Sequence, residues 1–189
     1  MKDLIFLVDF DRTITMNDST DELMNQYNPQ MVEEYQKSFR RGDLRVREYI
    51  KGLLESLKIT KDEYKEAVTK NLIIDPDFKK FIELGYEMRI VSAGTYENIL
   101  PNFEKEGIDI PVEHIYSNKL TFNEDNIEIN FPFDNEDSDE GICKKTILLK
   151  YKNRYKKVYF IGDGYSDIGA ATEADFVFAK KGRYLEKFC

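Results

Sequence analysis

Histidine and cysteine are almost missing from this chain. Its 189 residues include one histidine, His114, and two cysteines, Cys143 and Cys189. Two cysteines so far apart form no ligand pair and fit a reducing compartment. His114 sits alone in PVEHIYSN and reads as structural rather than catalytic. Long apolar runs are missing too. No stretch approaches the roughly 20 residues of a membrane span. The opening MKDLIFLVDFD is too short in its apolar part for a secretory signal and meets charge at once. Basic residues are outnumbered: 28 Lys and Arg against 36 Asp and Glu give a formal net charge of −8. An acidic chain is a poor non-specific binder of nucleic acid or of an anionic membrane. A phosphate-bearing ligand therefore needs a local positive site, from a metal or from placed lysines. The expectation is a cytoplasmic protein with neither nucleic acid nor membrane as partner.

What is present is enough for a folded core, with 41% hydrophobic and 13% aromatic residues. Four apolar runs read as buried strands: LIFLV (4–8), MRIVS (88–92), VYFIG (158–162) and FVFA (176–179). Helical patterns separate them, which predicts an α/β fold on a parallel sheet. Ligands in such sheets bind at the carboxyl ends of the strands; here those ends read VDFD, VSAG and IGDG. The gap from the first strand to the second is long and mostly helical. Val46, Tyr49, Ile50, Leu53, Leu54 and Leu57 form one apolar stripe, Tyr64, Ala67, Val68 and Leu72 a second, and Leu23, Met24 and Tyr27 a third that ends near Pro29. A core helix starts at Asp75-Pro76-Asp77. The division is thus a core of 1–15 and 75–189 with a helical subdomain, 16–74, inserted after strand one. KLTFNEDNIEINF (119–131) reads as a β-hairpin, the acidic run 134–140 as a mobile loop, and a helix begins near Cys143.

Asp9 and Asp11 stand two apart at the end of a buried strand. Each could be a turn or cap residue. As a pair they also suit phosphoryl chemistry. Asp-x-Asp puts both carboxylates on one side of an extended chain, and Thr13 adds a hydroxyl at the next such position. One carboxylate can attack phosphorus while the other exchanges protons. Asp163 and Asp167 follow another strand end; beside Asp9 and Asp11 they offer the hard oxygen donors that Mg²⁺ prefers. Gly162 to Asp167 could equally be a Gly-rich turn with a helix cap. Ser92 and Gly94 read as an ordinary turn or as a phosphate cradle. So many acids require a fixed cation. Lys144 lies next to the inward stripe of its helix and is the first choice, with Lys145 in reserve. Arg40, Arg41, Arg45 and Arg47 read as mostly solvated, with one facing the site.

Taken in order, DFDRT, VSAG, CKK and GDGYSD resemble the motifs of the haloacid dehalogenase-like (HAD) phosphohydrolases, and the inserted helices resemble that superfamily's C1 cap. The resemblance lies in the phosphoserine-phosphatase-like branch. Within it, the chain is most similar to the methionine-salvage phosphatase acting on 2-hydroxy-3-keto-5-methylthiopentenyl phosphate, and it is also similar to the phosphoethanolamine and phosphocholine phosphatases. The resemblance implies a Rossmann-like HAD core and a Mg²⁺-dependent phosphatase of a small phosphorylated metabolite, working through an aspartyl phosphate. It implies Asp9 as nucleophile and metal ligand. Asp11 becomes the general acid/base, with its backbone carbonyl on the metal. Thr13, Ser92 and Gly94 become phosphate contacts, and Lys144 the lysine that holds nucleophile and phosphate. Asp163 becomes a metal ligand, with Asp167 supporting it. Asp18 falls where phosphoserine phosphatases carry a substrate-reading glutamate, and Arg12 replaces a frequent glycine. The rival readings are a phosphoacceptor signalling domain and a non-catalytic HAD-like binding module; the acid/base Asp11 and the inserted cap speak against the first, the intact acid set against the second.

Overall fold

The absence of alternation in LIFLV has a simple cause. Ile5 and Leu7 pack into one apolar layer while Phe6 and Val8 pack into another, because this strand lies between two layers of helices. In the computed structural model, which describes residues 2–135 and 140–189, β1 (Lys2–Val8) pairs in parallel with β2 (Met88–Thr95) on one side and β5 (Tyr155–Gly162) on the other. With β3 (Ile115–Asn123), β4 (Asn126–Asn130) and β6 (Phe176–Ala179), the sheet order is β4-β3-β2-β1-β5-β6. The chain order reverses beside β1, so the carboxyl ends of β1 and β5 flank the crevice where such sheets place ligands.

Four helices separate β1 from the core helix α5 (Pro76–Glu83): α1 (Ser19–Met24), α2 (Pro29–Arg41), α3 (Val46–Glu55) and α4 (Lys61–Lys70). Ile50, Leu53 and Leu54 of α3 pack with Leu23 and Met24 of α1, Tyr64 and Val68 of α4, and Leu120, Ile127 and Ile129 of the β3–β4 hairpin. Where chain leaves and re-enters the core, the two connections cross antiparallel: Met16 N–H donates to the Ile73 carbonyl at 2.8 Å and Asp75 N–H to the Ile14 carbonyl at 2.8 Å. Asp75 caps α5 through the N–H of Asp77 at 3.0 Å, with Pro76 in the first turn. Helices α6 (Tyr96–Glu106), α7 (Lys144–Lys152), α8 (Ile168–Glu173) and α9 (Tyr184–Phe188) complete the fold. Residues of α5 and α6 fill the Phe6 side of the sheet and those of α7, α8 and α9 the Ile5 side.

Two elements depart from expectation. The stripe of Leu23, Met24 and Tyr27 does end before Pro29, but Pro29 then opens a further helix that no stripe announced. Asn28 caps α2 through Met31 N–H at 3.1 Å, yet Val32 is its one fully buried residue, so the apolar periodicity is too weak to announce it. The hairpin strand also starts earlier than 119. Ile115 and Tyr116 pair in parallel with Ile90 and Val91 before the chain runs on into the antiparallel pairing with β4. Ser117 and Asn118 are buried there because their side chains donate to the carbonyls of Gly94 (2.9 Å) and Ala93 (2.7 Å); polar residues so satisfied leave no apolar signature. The acidic run 134–140 falls mostly outside the described residues. Among the described residues, no helix is long and apolar enough to cross a membrane.

Candidate active site

Past Val8 the chain does not stay extended. Over residues 10–14 it makes a wide turn closed by Thr15 N–H on the Phe10 carbonyl at 3.1 Å, with Arg12 in the left-handed region at φ 58° and ψ 4°. Thr13 is therefore not the next same-side residue of a strand. The turn instead brings its hydroxyl to 3.4 Å from Asp9 Oδ2. A left-handed arginine is strained by about 1–2 kcal/mol, and its N–H is held by Thr15 Oγ1 at 2.9 Å.

Lys144 is 1% exposed and fixed from two sides: Nζ lies 2.6 Å from Asp9 Oδ1 and 2.7 Å from Asp167 Oδ1. Lys145 points away and pairs with Glu173 at 2.7 Å, half exposed. Asp167 spends its other oxygen on the N–H groups of Asp163 and Gly164, both at 2.9 Å. A Cβ on Gly162 would stand 2.5 Å from that oxygen, so glycine at the end of β5 lets the turn that follows fold Asp167 back over the strand end. Burial and then the Asp167 charge push the Asp9 carboxyl well above its usual range, against the pull of Lys144. Burial and Asp167 likewise hold Asp163 up at about 6. Burial disfavours the Lys144 charge, but Asp167 and Asp9 outweigh it and raise its pKa.

Asp9, Asp163 and Asp167 each bring a carboxylate oxygen within 4.8 Å of the others. Three carboxylates against Lys144 and the half-exposed Arg183, 4.0 Å from Asp163 Oδ2, leave net negative charge in a buried place, and all donors are hard oxygens. That donor set fits a divalent cation of the Mg²⁺ class. Both Asp167 oxygens and Asp9 Oδ1 are held by short bonds, which leaves Asp9 Oδ2, with only the long 3.4 Å contact from Thr13, and the Asp163 carboxylate to hold it. The Asp11 carboxylate is outside this cluster. Its Oδ1 accepts the Ser19 N–H at 2.7 Å, and burial, then Asp18, hold its pKa up at about 7.

Ser92 is fully buried and accepts the Gly94 N–H at 3.0 Å. Above these groups opens a cavity of about 470 Å³ whose walls include Arg12, Asp18, Asp21, Phe39, Arg40 and Tyr49. Asp18 has two placements at once. Oδ1 caps α1 through the N–H groups of Thr20 (3.1 Å) and Asp21 (3.0 Å), while Oδ2 is 3.7 Å from Arg12 Nη2 at the cavity wall. Asp21 was not singled out by sequence reasoning. It is buried and accepts from Arg12 (2.8 Å), Gln36 (2.9 Å) and Tyr49 (2.5 Å), tying the turn at 10–14 to α2 and α3. Of the four arginines expected to be mostly solvated, Arg40 lines the cavity. Arg41 pairs with Asp43 at 2.7 Å, and Arg47 pairs with Asp134 at 2.8 Å and lies over the Phe131 ring. Arg45 precedes α3, its N–H on Glu48 at 3.0 Å. His114 lies just before β3, at the amino end of the strands.

The family described as "Putative Phosphatase" matches residues 4–189. The chain belongs to that family. The phosphatase is 31% identical over 202 residues to Pdp3-interacting factor 1 of Schizosaccharomyces pombe, covering 100% of this chain and 86% of the relative. It is 28% identical over 180 residues to a 2-hydroxy-3-keto-5-methylthiopentenyl-1-phosphate phosphatase of Bacillus cereus, covering 91% of this chain and 81% of that one. Its fold is similar to that of a substrate-bound phosphoserine phosphatase, with a TM-score of 0.74 over 100% of this chain and 90% of the other at 22% identity. The phosphatase is a HAD-like phosphohydrolase of the phosphoserine-phosphatase and methionine-salvage branch, with a Rossmann-like core, and its aspartate cluster suits an aspartyl-phosphate mechanism.

Proposed function

We propose that this phosphatase is a Mg²⁺-dependent phosphomonoesterase of a small phosphorylated metabolite. The observation that carries the reading is Lys144, buried between Asp9 and Asp167 with Asp163 alongside. A site so charged is built to receive a phosphoryl group and its counter-ion.

Asp9 attacks phosphorus in line and becomes the aspartyl phosphate. Lys144 holds the attacking carboxylate by Oδ1 and neutralises the equatorial oxygens. Thr13, Ser92 and the Gly94 N–H take phosphate oxygens. Asp11 gives its proton to the leaving oxygen and then takes one from the water that hydrolyses the phosphoenzyme. A bound Mg²⁺, held by Asp9, Asp163 and the Asp11 carbonyl with Asp167 in support, would supply charge neutralisation. The helices of 16–74 act as a cap that excludes water and contacts the organic part of the substrate. Asp18 and Arg12, at the wall, read that part as acceptor and donor.

The relatives direct the choice of substrates for the test. Phosphate release is measured over a panel of phosphorylated metabolites, with and without Mg²⁺, that includes phosphoserine, phosphocholine, phosphoethanolamine and the methionine-salvage ester. Strong, metal-dependent hydrolysis of one or a few compounds is expected. Release no faster than the blank across the whole panel rejects the reading.

A further inference from the structure

The two edges of the sheet are finished differently. At β4 the edge is occupied: Ile129 N–H donates to Glu55 of α3 at 3.2 Å, and Asn126 bridges to Lys58. At the other edge, β6 reads FVFA, and among the described residues none pairs with its outer side. It carries no charge or proline to discourage pairing. Phe176 is 52% and Phe178 53% exposed. Both lie on the Phe6 side of the sheet, the Phe178 ring 6.4 Å from that of Phe6 and the Phe176 ring 4.9 Å from that of Tyr159. Tyr86, half exposed and 5.4 Å from Phe6, continues the same surface. On this side α5 and α6 bury Phe6, Ile90 and Ile115 but leave Tyr159 and Ile161 of β5 only partly covered. A contiguous aromatic strip along an open edge marks a contact surface, unlike scattered apolar residues.

The main chain decides which groups are open. Lys180 N–H donates to the Gly162 carbonyl of β5 at 2.9 Å. Main-chain groups alternate sides along a strand, so Phe176 and Phe178 turn theirs to β5 as well, and Val177 and Ala179 present N–H and C=O to the open edge. Asp175 ends the free edge: its N–H is on the Val158 carbonyl at 2.9 Å and its Oδ2 on the Val158 N–H at 2.8 Å. Val177 and Ala179 flank a single residue, which is what a two-fold axis needs. A second copy running antiparallel, with the axis at Phe178, sets each Val177 against the other copy's Ala179. Four N–H···O=C bonds then satisfy both edges. The two Phe178 residues meet in the non-hydrogen-bonded position, where opposed side chains come closest. The ends match in charge. This register sets Asp175, whose Oδ1 has only a 3.7 Å contact with Lys152, against the exposed Lys181 of the other copy. With the axis moved to Val177, two of the bonds are lost and Asp175 faces Ala179.

We propose that β6 is the interface of a two-fold dimer of this chain, in which two sheets join edge to edge about the Phe178 pair. The contact is isologous, the same patch on both copies, so it closes at two and does not propagate. The occupant of the aromatic strip is then the same strip of the second copy.

Sedimentation velocity on the whole protein, over a rising concentration series, is expected to show a monomer passing into a dimer. Two variants place the interface. Ala179→Pro removes an N–H that faces no neighbour in the monomer, a change that edge strands tolerate, and it deletes two of the four bonds between copies. Phe178→Lys sets like charges against each other at the axis. Each is expected to raise the dimer dissociation constant at least about 10-fold, with the Tm of the dilute monomer changed by no more than a few degrees. Leu149→Lys, at an exposed leucine of α7 away from the edge, is expected to leave the constant unchanged. If Ala179→Pro does not fold, Phe178→Lys decides. Amide exchange at Val177 and Ala179 of the unaltered chain is expected to slow as the dimer forms. A chain that stays monomeric throughout leaves the edge to some other strand and overturns the proposal. So does a dimer that survives both β6 variants, or one that forms with exchange at Val177 and Ala179 unchanged.

Discussion

Gly94 runs so close to Asp11 that a Cβ at that position would stand 2.9 Å from Asp11 Oδ2 and 3.2 Å from Ser92 Oγ. Close-packed interiors do not absorb such contacts, and here both neighbours belong to the candidate site. Gly94→Ala is expected to lower kcat by about 100-fold, the scale of a 1 Å misplacement, with Tm changed by no more than a few degrees. A variant with near-normal kcat would show that Asp11 has room to move without consequence.

Asp9→Asn is expected to abolish turnover and phosphoenzyme formation, because the amide is a poor nucleophile. The fold should survive, since Asn keeps the shape and removes one of three crowded carboxylates. Acid-quenched labelling with a phosphorylated substrate checks the first claim and circular dichroism the second.

The metal-free protein should lose stability as pH rises. Burial, joined by Asp18 or Asp167, holds Asp11 up at about 7 and Asp21 and Asp163 up at about 6 in the folded state. Their unfolded values lie near 3.8. Between those limits these three groups bind more protons in the folded state than in the unfolded one, so their contribution to stability is full below about pH 4, falls as they ionise, and levels off above about pH 7. Mg²⁺ should raise Tm most on the upper plateau and least at pH 5. Asp163→Ala should abolish most of that rise. A Tm indifferent to Mg²⁺ at pH 8 contradicts the metal assignment.

At Arg12 two variants separate backbone from side chain. Arg12→Gly and Arg12→Ala both remove the ion pair with Asp21, but only glycine adopts the left-handed conformation without penalty. Arg12→Gly should be about 1 kcal/mol more stable than Arg12→Ala in urea unfolding. Equal stabilities would mean that the turn rearranges once the guanidinium is gone.

Asp18 both caps α1 and faces the cavity. Asp18→Ala should cost about 0.5–2 kcal/mol through the lost cap. If it also reads the substrate, kcat/KM for the best metabolite should fall far more than for p-nitrophenyl phosphate. A lowered Tm with an unchanged ratio would leave it as a cap only.

The legible parts of the molecule were those whose signal is local. β1, β2, β5 and β6 are near-continuous apolar runs, and the acids sit where those runs stop. Lys144 stood out because Ile147, Leu148 and Tyr151 mark the buried side of its helix. Asp21 was invisible as a site residue: an acid between Thr20 and Glu22 looks like any first helical turn, and its partners Arg12, Gln36 and Tyr49 meet only through the fold. Helix α2 was missed because it buries so little, and the first half of β3 because Ser117 and Asn118 are inside for hydrogen bonding rather than apolarity.

The antiparallel crossing of residues 14–16 with 73–75 has a mechanical consequence. The inserted helices hang from two backbones laced together, not from a single strand of chain. Lys180 adds a rivet, its Nζ 3.2 Å from the Thr13 carbonyl and 3.1 Å from Asp75 Oδ2. Both ends of the inserted segment are thereby bonded to each other and to the end of residues 10–14, the wide turn that holds both Asp11 and the left-handed Arg12, with no slack chain between the helices and the site.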